Sequence, residues 1–245
     1  MSYGAYTRAD TFAHSIDPRA KVVFSLLLLV AAFLADRAFE LGLVAAVTAA
    51  TLAAAGIGPA RAARTLRPFA WLMAFVLVFN AVFSAGGVAY AAGSVARFAL
   101  VLLGSSTLMA TTSPTELTDA ASLLLGPAAR LGLRVDDAVL GVSMTLRFVP
   151  LVLGEFRRVK AAQEARLARF DQPSPLARAR AYVSVMVPLF AGALRRSETL
   201  ALAIRNREYG AVDARRTCIR AYRLAVRDRV AIAAGAALLA AVIAL

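Results

Sequence analysis

Apolar runs of membrane-crossing length recur along the first 112 residues, and no other feature restricts the fold as much. A helix needs roughly 17 to 25 apolar residues to cross about 30 Å of hydrocarbon, and lipid admits only structures whose backbone hydrogen bonds close internally. Residues 22–35 form a slightly short candidate, helped by Lys21, whose stem can carry its charge to the headgroups. Residues 41–60 follow a polar turn and are rich in Ala and Gly, as close-packed membrane helices often are. Pro68 is expected to open a third run that carries Trp71 near one interface and continues to about Tyr90. A fourth covers about residues 97–112, and residues 230–245 make a fifth. The polar N-terminal segment does not read as a cleavable signal peptide.

The chain is 60% hydrophobic with a mean hydropathy of +0.68, yet it carries 28 Lys and Arg against 15 Asp and Glu. Its apolar and basic characters must therefore occupy different places, one in lipid and one at a charged surface. Lys and Arg collect on the cytoplasmic side of membrane helices. Arg8, Arg19 and Lys21 precede the first run, and Arg61, Arg64 and Arg67 separate the second from the third. The opposite side offers only Arg37 before Arg97. The N-terminus is thus expected in the cytoplasm, and so are residues 113–227, which hold 19 of the 28 basic residues.

Residues 138–154 are long enough to suggest another span. Crossing would leave residues 157–180, with seven basic and two acidic side chains, outside. The segment therefore reads as partly embedded at the interface or packed under the other helices, with Arg147 reaching a polar partner.

Low counts exclude several chemistries. One Cys (Cys218) and one His (His14) supply neither a structural zinc site nor a disulfide nor a Cys/His catalytic pair. The two lysines, Lys21 and Lys160, end no P-loop. Aromatics are 8% and sit mostly inside apolar runs, which argues against nucleic acid. No cofactor, metal or catalytic residue is expected, and intramembrane Asn80, Ser105, Ser106 and Thr107 read as helix-packing groups.

Thr112-Ser113-Pro114-Thr115-Glu116 combines a cap residue, a proline at the first helical position and an acid at the third, which predicts a helix from Pro114 toward Arg130. Asp136 and Asp137 suit the start of a second helix running through Arg166 with a kink at Pro150. After Pro173 and Pro175 a third, bent at Pro188, is predicted over residues 176–209. Both long helices begin apolar, carry an internal proline and end in an arginine-rich tip. For any single arginine, a solvated face beside anionic headgroups is the simplest account.

DPRAK before the first run, TSPTEL, LRFVP, AAQEAR, and VPLF followed by RRSETLALAIRNREYG occur in this order. In order and spacing, over about residues 6–229, the chain resembles the transmembrane T component (EcfT, CbiQ-like family) of energy-coupling factor (ECF) ABC transporters. The resemblance implies an all-α polytopic membrane protein with about five transmembrane helices and a cytoplasmic coupling module of long crossing helices. Residues 1–112 would hold spans one to four, 113–227 the module and 228–245 the last span. It implies as partners, besides membrane lipids, two ABC-type ATPases and a membrane S component that captures a vitamin or transition-metal ion for uptake. It also implies Ala-Arg-Gly-like tripeptides that enter grooves on the ATPases. The matching positions are Ala165-Arg166-Leu167 and Asn206-Arg207-Glu208, which keep only the arginine in both. Leu167 and Glu208 stand where the family usually has Gly, and Asn206 where it has Ala. The competing readings are a membrane-embedded lipid-modifying enzyme and a basic membrane scaffold.

Overall fold

The computed structural model describes residues 16–83, 87–126, 135–171, 174–209 and 225–244. His14, Cys218, Arg8, Pro173 and residues 127–134, where the helix after Pro114 was expected to end, lie outside them. Within the described residues all regular structure is helical: α1 Pro18–Leu34, α2 Ala38–Ala54, α3 Pro59–Leu66, α4 Ala70–Phe83, α5 Gly87–Thr111, α6 Pro114–Leu125, α7 Val135–Ala165, α8 Pro175–Asn206 and α9 Val226–Ala244. The chain divides into two compact units, residues 1–139 with 222–245, and residues 140–221.

The core of the first unit joins Leu28, Ala31, Ala32 and Ala35 to Val44 of α2 and to Leu238 and Val242 of α9. Small residues let helix backbones approach closely. Gly235 of α9 illustrates this: a Cβ there would lie 3.1 Å from Phe24 Cδ2 and 3.2 Å from Leu27 Cδ1 of α1.

Among the described residues three helical stretches are long and apolar enough to cross a membrane: Pro59–Phe83, Gly87–Thr111 and Asp137–Ala165. The third run therefore begins before Pro68, at Pro59, and ends at Phe83 rather than near Tyr90. Pro68 sits in a 3₁₀ turn, Arg67–Phe69, between α3 and α4, where tighter bonding tolerates its missing N–H. The fourth run starts ten residues before Arg97, which lies inside α5 rather than at its edge. α2 is shorter than expected, because Gly56 at φ 69° ends it. α9 begins at Val226 and includes Arg227, Asp228 and Arg229 in its first turn, so its apolar part is short.

The expected cap at Ser113 is present in full. Its Oγ accepts from Glu116 N–H at 3.2 Å, while Ser113 N–H donates to Glu116 Oε2 at 2.9 Å. The intramembrane polar groups behave differently from the expectation of bonds between helices. Asn80 donates to the Val76 carbonyl, and Ser106 and Thr107 both donate to the Leu103 carbonyl. Each is satisfied inside its own helix, as lipid demands when no polar neighbour is in reach.

Two polar nodes hold the first unit at opposite ends of α1. At its start, Lys21 is buried and donates from Nζ to the Thr111 carbonyl at 3.1 Å, so it turns into the protein rather than toward headgroups. Beside it, the Asp228 carboxylate accepts from Asp17 N–H at 3.0 Å and Ala225 N–H at 2.7 Å, joining the first turns of α1 and α9. At the end of α1, Arg97 donates to the Ala35 carbonyl through Nη2 at 2.6 Å and Nε at 3.1 Å, and pairs with Asp36 at 2.8 Å. A cation there meets the negative end of the α1 dipole. Glu40 closes the same hairpin by accepting from Asp36 N–H and Arg37 N–H.

Candidate functional site

The second unit contains α8 and most of α7, and the singled-out tripeptides lie at their C-termini. Ala165 is the last residue of α7 and Asn206 the last of α8. Both helices continue through their internal prolines, Pro150 and Pro188.

Each tip ends in the same way. At the α7 tip, Leu167 N–H donates to the Glu164 carbonyl at 2.9 Å and Ala168 N–H to the Gln163 carbonyl at 3.0 Å. At the α8 tip, Glu208 N–H donates to the Arg205 carbonyl at 2.9 Å and Tyr209 N–H to the Ile204 carbonyl at 3.3 Å. This pair of crossed bonds is the Schellman cap, which requires left-handed backbone at the residue between them. Leu167 and Glu208 supply it with φ of 67° and 54°. α2 closes with the same pattern, Gly56 N–H to Ala53 and Ile57 N–H to Leu52, but with glycine at the left-handed position.

The third tripeptide position is therefore a backbone position first. A residue with a Cβ costs about 1 to 2 kcal/mol there, which explains why glycine suits it. Arg166 and Arg207 sit at the cap itself, immediately before the reversal. Both are exposed, and Leu167 is 89% exposed. Among the described residues neither guanidinium forms an ion pair.

Contacts between α7 and α8 fix their relative direction. Glu155 pairs with Arg196 at 2.8 Å, and Gln163 Nε2 donates to the Ser184 carbonyl at 3.4 Å. Advancing along α7 means retreating along α8, so the two run antiparallel and their arginine-bearing ends point opposite ways. Phe156 and Phe170 flank Tyr182 with ring centroids 6.5 and 5.2 Å away, and Lys160 lies over the Phe170 ring. Apolar burial is slight: of α7 and α8, only Val185 is buried among the described side chains.

The structure thus gives all six tripeptide residues matched local settings at separate tips. Sequence reading missed the left-handed cap, although the glycine usual in the resembled family was its signal. It also missed the Glu155–Arg196 pair, for which spacing gives no sign. Arg147 is exposed and has no polar partner among the described residues, contrary to expectation. Among those residues no group of His, Cys, Asp and Glu is placed to hold a metal.

A family model described as a cobalt transport protein, CbiQ, matches residues 9–217. The chain is similar to the energy-coupling factor transporter transmembrane protein EcfT of Brevibacillus brevis, 32% identical over 85% of this chain and 84% of that protein. Its similarity to the protein of the same name from Thermanaerovibrio acidaminovorans is 34% identity over 95% and 91%. It is also 34% identical, over 97% of its own length, to a Bifidobacterium longum protein named as an ABC transporter ATP-binding protein, of which it spans 32%.

Proposed function

The chain belongs to the CbiQ family of cobalt transport proteins, and from that premise we propose that it is the transmembrane coupling subunit of an ECF-type ABC importer. It is a non-catalytic component that passes the motion of two ATPases to an S component for uptake of a vitamin or transition-metal ion. The observation that carries this reading is the pair of identical caps, each presenting one exposed arginine, at opposite ends of an antiparallel helix pair. Two separate soluble partners need two separate contacts. The Bifidobacterium relative supports an ATPase partner, since a segment like this chain makes up part of a protein named for ATP binding.

In this reading residues 113–227 form the coupling module, and residues 1–112 and 228–245 form the membrane part. The N-terminus and module face the cytoplasm, where exposed Arg61 and Arg64 on α3 meet anionic lipid. Although α7 has the length to cross, exposed Arg147 in its apolar half and the basic run after it favour an interfacial position. ATP binding closes the ATPases. Arg166 and Arg207, each a planar fork of donors, hold groove carboxylates or carbonyls and receive the displacement. Ala165 and Asn206 end the helices on which those forks stand, and Leu167 and Glu208 turn the chain away. The helices then shift the S component, which releases its cargo inside.

The test replaces Arg166 and Arg207 with Glu, singly and together, and measures ATPase copurification and substrate uptake. Losing one partner of a buried charge pair costs about 2 to 5 kcal/mol, so assembly should fail in the double variant. Unchanged uptake in that variant rejects the role. A merely solvated face gives a small, salt-sensitive change.

A further inference from the structure

Four helices of the first unit line a cavity of about 320 Å³ at the end where α1 begins. α1 and α5 contribute Leu28 and Gly104, α2 contributes Ala50 and Ala54, and α9 contributes Ala231 and Ala234. The lining runs at least from Lys21 to Leu28 on α1, from Val47 to Ala54 on α2 and from Gly104 to Thr111 on α5. Each of these stretches rises about 10 Å at 1.5 Å per residue, so the space is a slot along the helices rather than a round hole. At its closed end Leu28 and Val44 share the core with Leu238 and Val242 of α9. Toward the start of α1 the slot is left open by small side chains, of which Ala50, Ala54 and Ala234 are exposed.

The polar groups in the wall already have acceptors. Thr51 donates its hydroxyl to the Thr48 carbonyl, Thr107 to Leu103 and Thr111 to Thr107, and Lys21 Nζ donates to the Thr111 carbonyl. A vitamin or a metal ion would need such groups turned toward it, so the slot is no path for polar cargo. It suits hydrocarbon. An apolar cavity of about 150 Å³ stays dry and takes up an apolar guest, and this one is larger. Left empty, its walls would forfeit the dispersion contacts that hold membrane helices together. The protein belongs to a membrane family, so the hydrocarbon at hand is lipid.

We propose that the slot holds one acyl chain of an anionic membrane phospholipid, with the phosphate at the end of α2, where α3 carries Arg61 and Arg64. Both arginines are exposed, and among the described residues neither forms an ion pair. Arg64 gives Nε to the Ala60 carbonyl at 3.3 Å, which leaves its terminal nitrogens for an anion. A guanidinium presents paired donors that match phosphate oxygens. The lipid thereby becomes a packed part of the first unit instead of a passing neighbour. Neither arginine-bearing tip takes part, so the site stands whatever Arg166 and Arg207 bind.

The test strips the full chain of lipid in detergent, titrates it with dioleoylphosphatidylglycerol or dioleoylphosphatidylcholine, and counts retained lipid by native mass spectrometry. One phosphatidylglycerol should stay on each chain under activation that removes the others, and should be held several-fold more tightly than phosphatidylcholine. Ala50→Phe and Ala234→Phe fill the slot from α2 and from α9, and each should lower retention several-fold. Ala49→Phe, exposed on α2 but outside the lining, should leave it unchanged. Arg61→Gln combined with Arg64→Gln should keep a retained lipid and abolish the headgroup preference. With the unsubstituted protein, a phosphatidylglycerol carrying a diazirine at the methyl end of one chain should label Leu28, Val47 or Gly104. Equal retention in the filled variants and the Ala49→Phe control overturns the inference, as does labelling confined to outward-facing residues such as Phe75 and Phe79 of α4, since either marks an ordinary boundary lipid. Equal retention of the two phospholipids by the unsubstituted chain overturns the anionic assignment.

Discussion

Leu167 and Glu208 occupy the same position of the same cap, one at each tip, and both hold left-handed backbone that glycine holds at residue 56. Each tip thus carries local strain beside its arginine. Leu167→Gly and Glu208→Gly should each stabilise their tip by about 0.5 to 1 kcal/mol, the relief of the Cβ clash being partly offset by glycine's larger unfolded entropy. Slower amide exchange at Ala168 and Tyr209, whose N–H groups close the caps, checks this. Gly56→Leu should destabilise the end of α2 by a similar amount.

The Asp228 carboxylate accepts from two backbone N–H groups in a buried setting, at 2% exposure. Asp228→Ala strands both donors and should cost about 2 to 4 kcal/mol. Asp228→Asn keeps one acceptor oxygen and should cost less. Lys21→Met leaves the Thr111 carbonyl without its buried donor, so about 1 to 2 kcal/mol is expected. Thermal unfolding of the purified chain in detergent measures all three.

Arg97 serves two acceptors of different worth. Asp36 is 81% exposed in its side chain, so Asp36→Asn should cost less than about 1 kcal/mol and be insensitive beyond moderate salt. The Ala35 carbonyl is buried and takes two guanidinium bonds, so Arg97→Ala should cost about 2 to 3 kcal/mol. Arg97→Lys keeps the charge without the fork and should recover only part of that. The same unfolding assay at two salt concentrations distinguishes the contributions.

Local signals carried much of this fold. The Ser113 to Glu116 box and the two long proline-containing helices follow from short-range chemistry, and both stand where the sequence put them. Helix edges inside apolar stretches were less legible. Pro68 looked like a start because proline favours first turns, yet a 3₁₀ turn absorbs it within a longer helix. Arg97 looked like a boundary because charge avoids lipid, yet a carbonyl and a carboxylate from another helix receive it. Lys21 looks able to reach outward, yet the Thr111 carbonyl, 90 residues away, receives it inside the protein. Contacts of that separation leave no mark on periodicity. For the tips the resemblance supplied the residues, while the backbone reason for glycine at the third position required φ angles.

The seat of Arg97 also bears on how the polypeptide is made. Ribosomes deliver α1 and its Asp36 well before α5, so when the later arginine is handed to lipid its counter-charge and its carbonyl are already waiting. Insertion of α5 should then depend on the first hairpin. Variants that lack that receptor should be caught by quality-control proteases during synthesis.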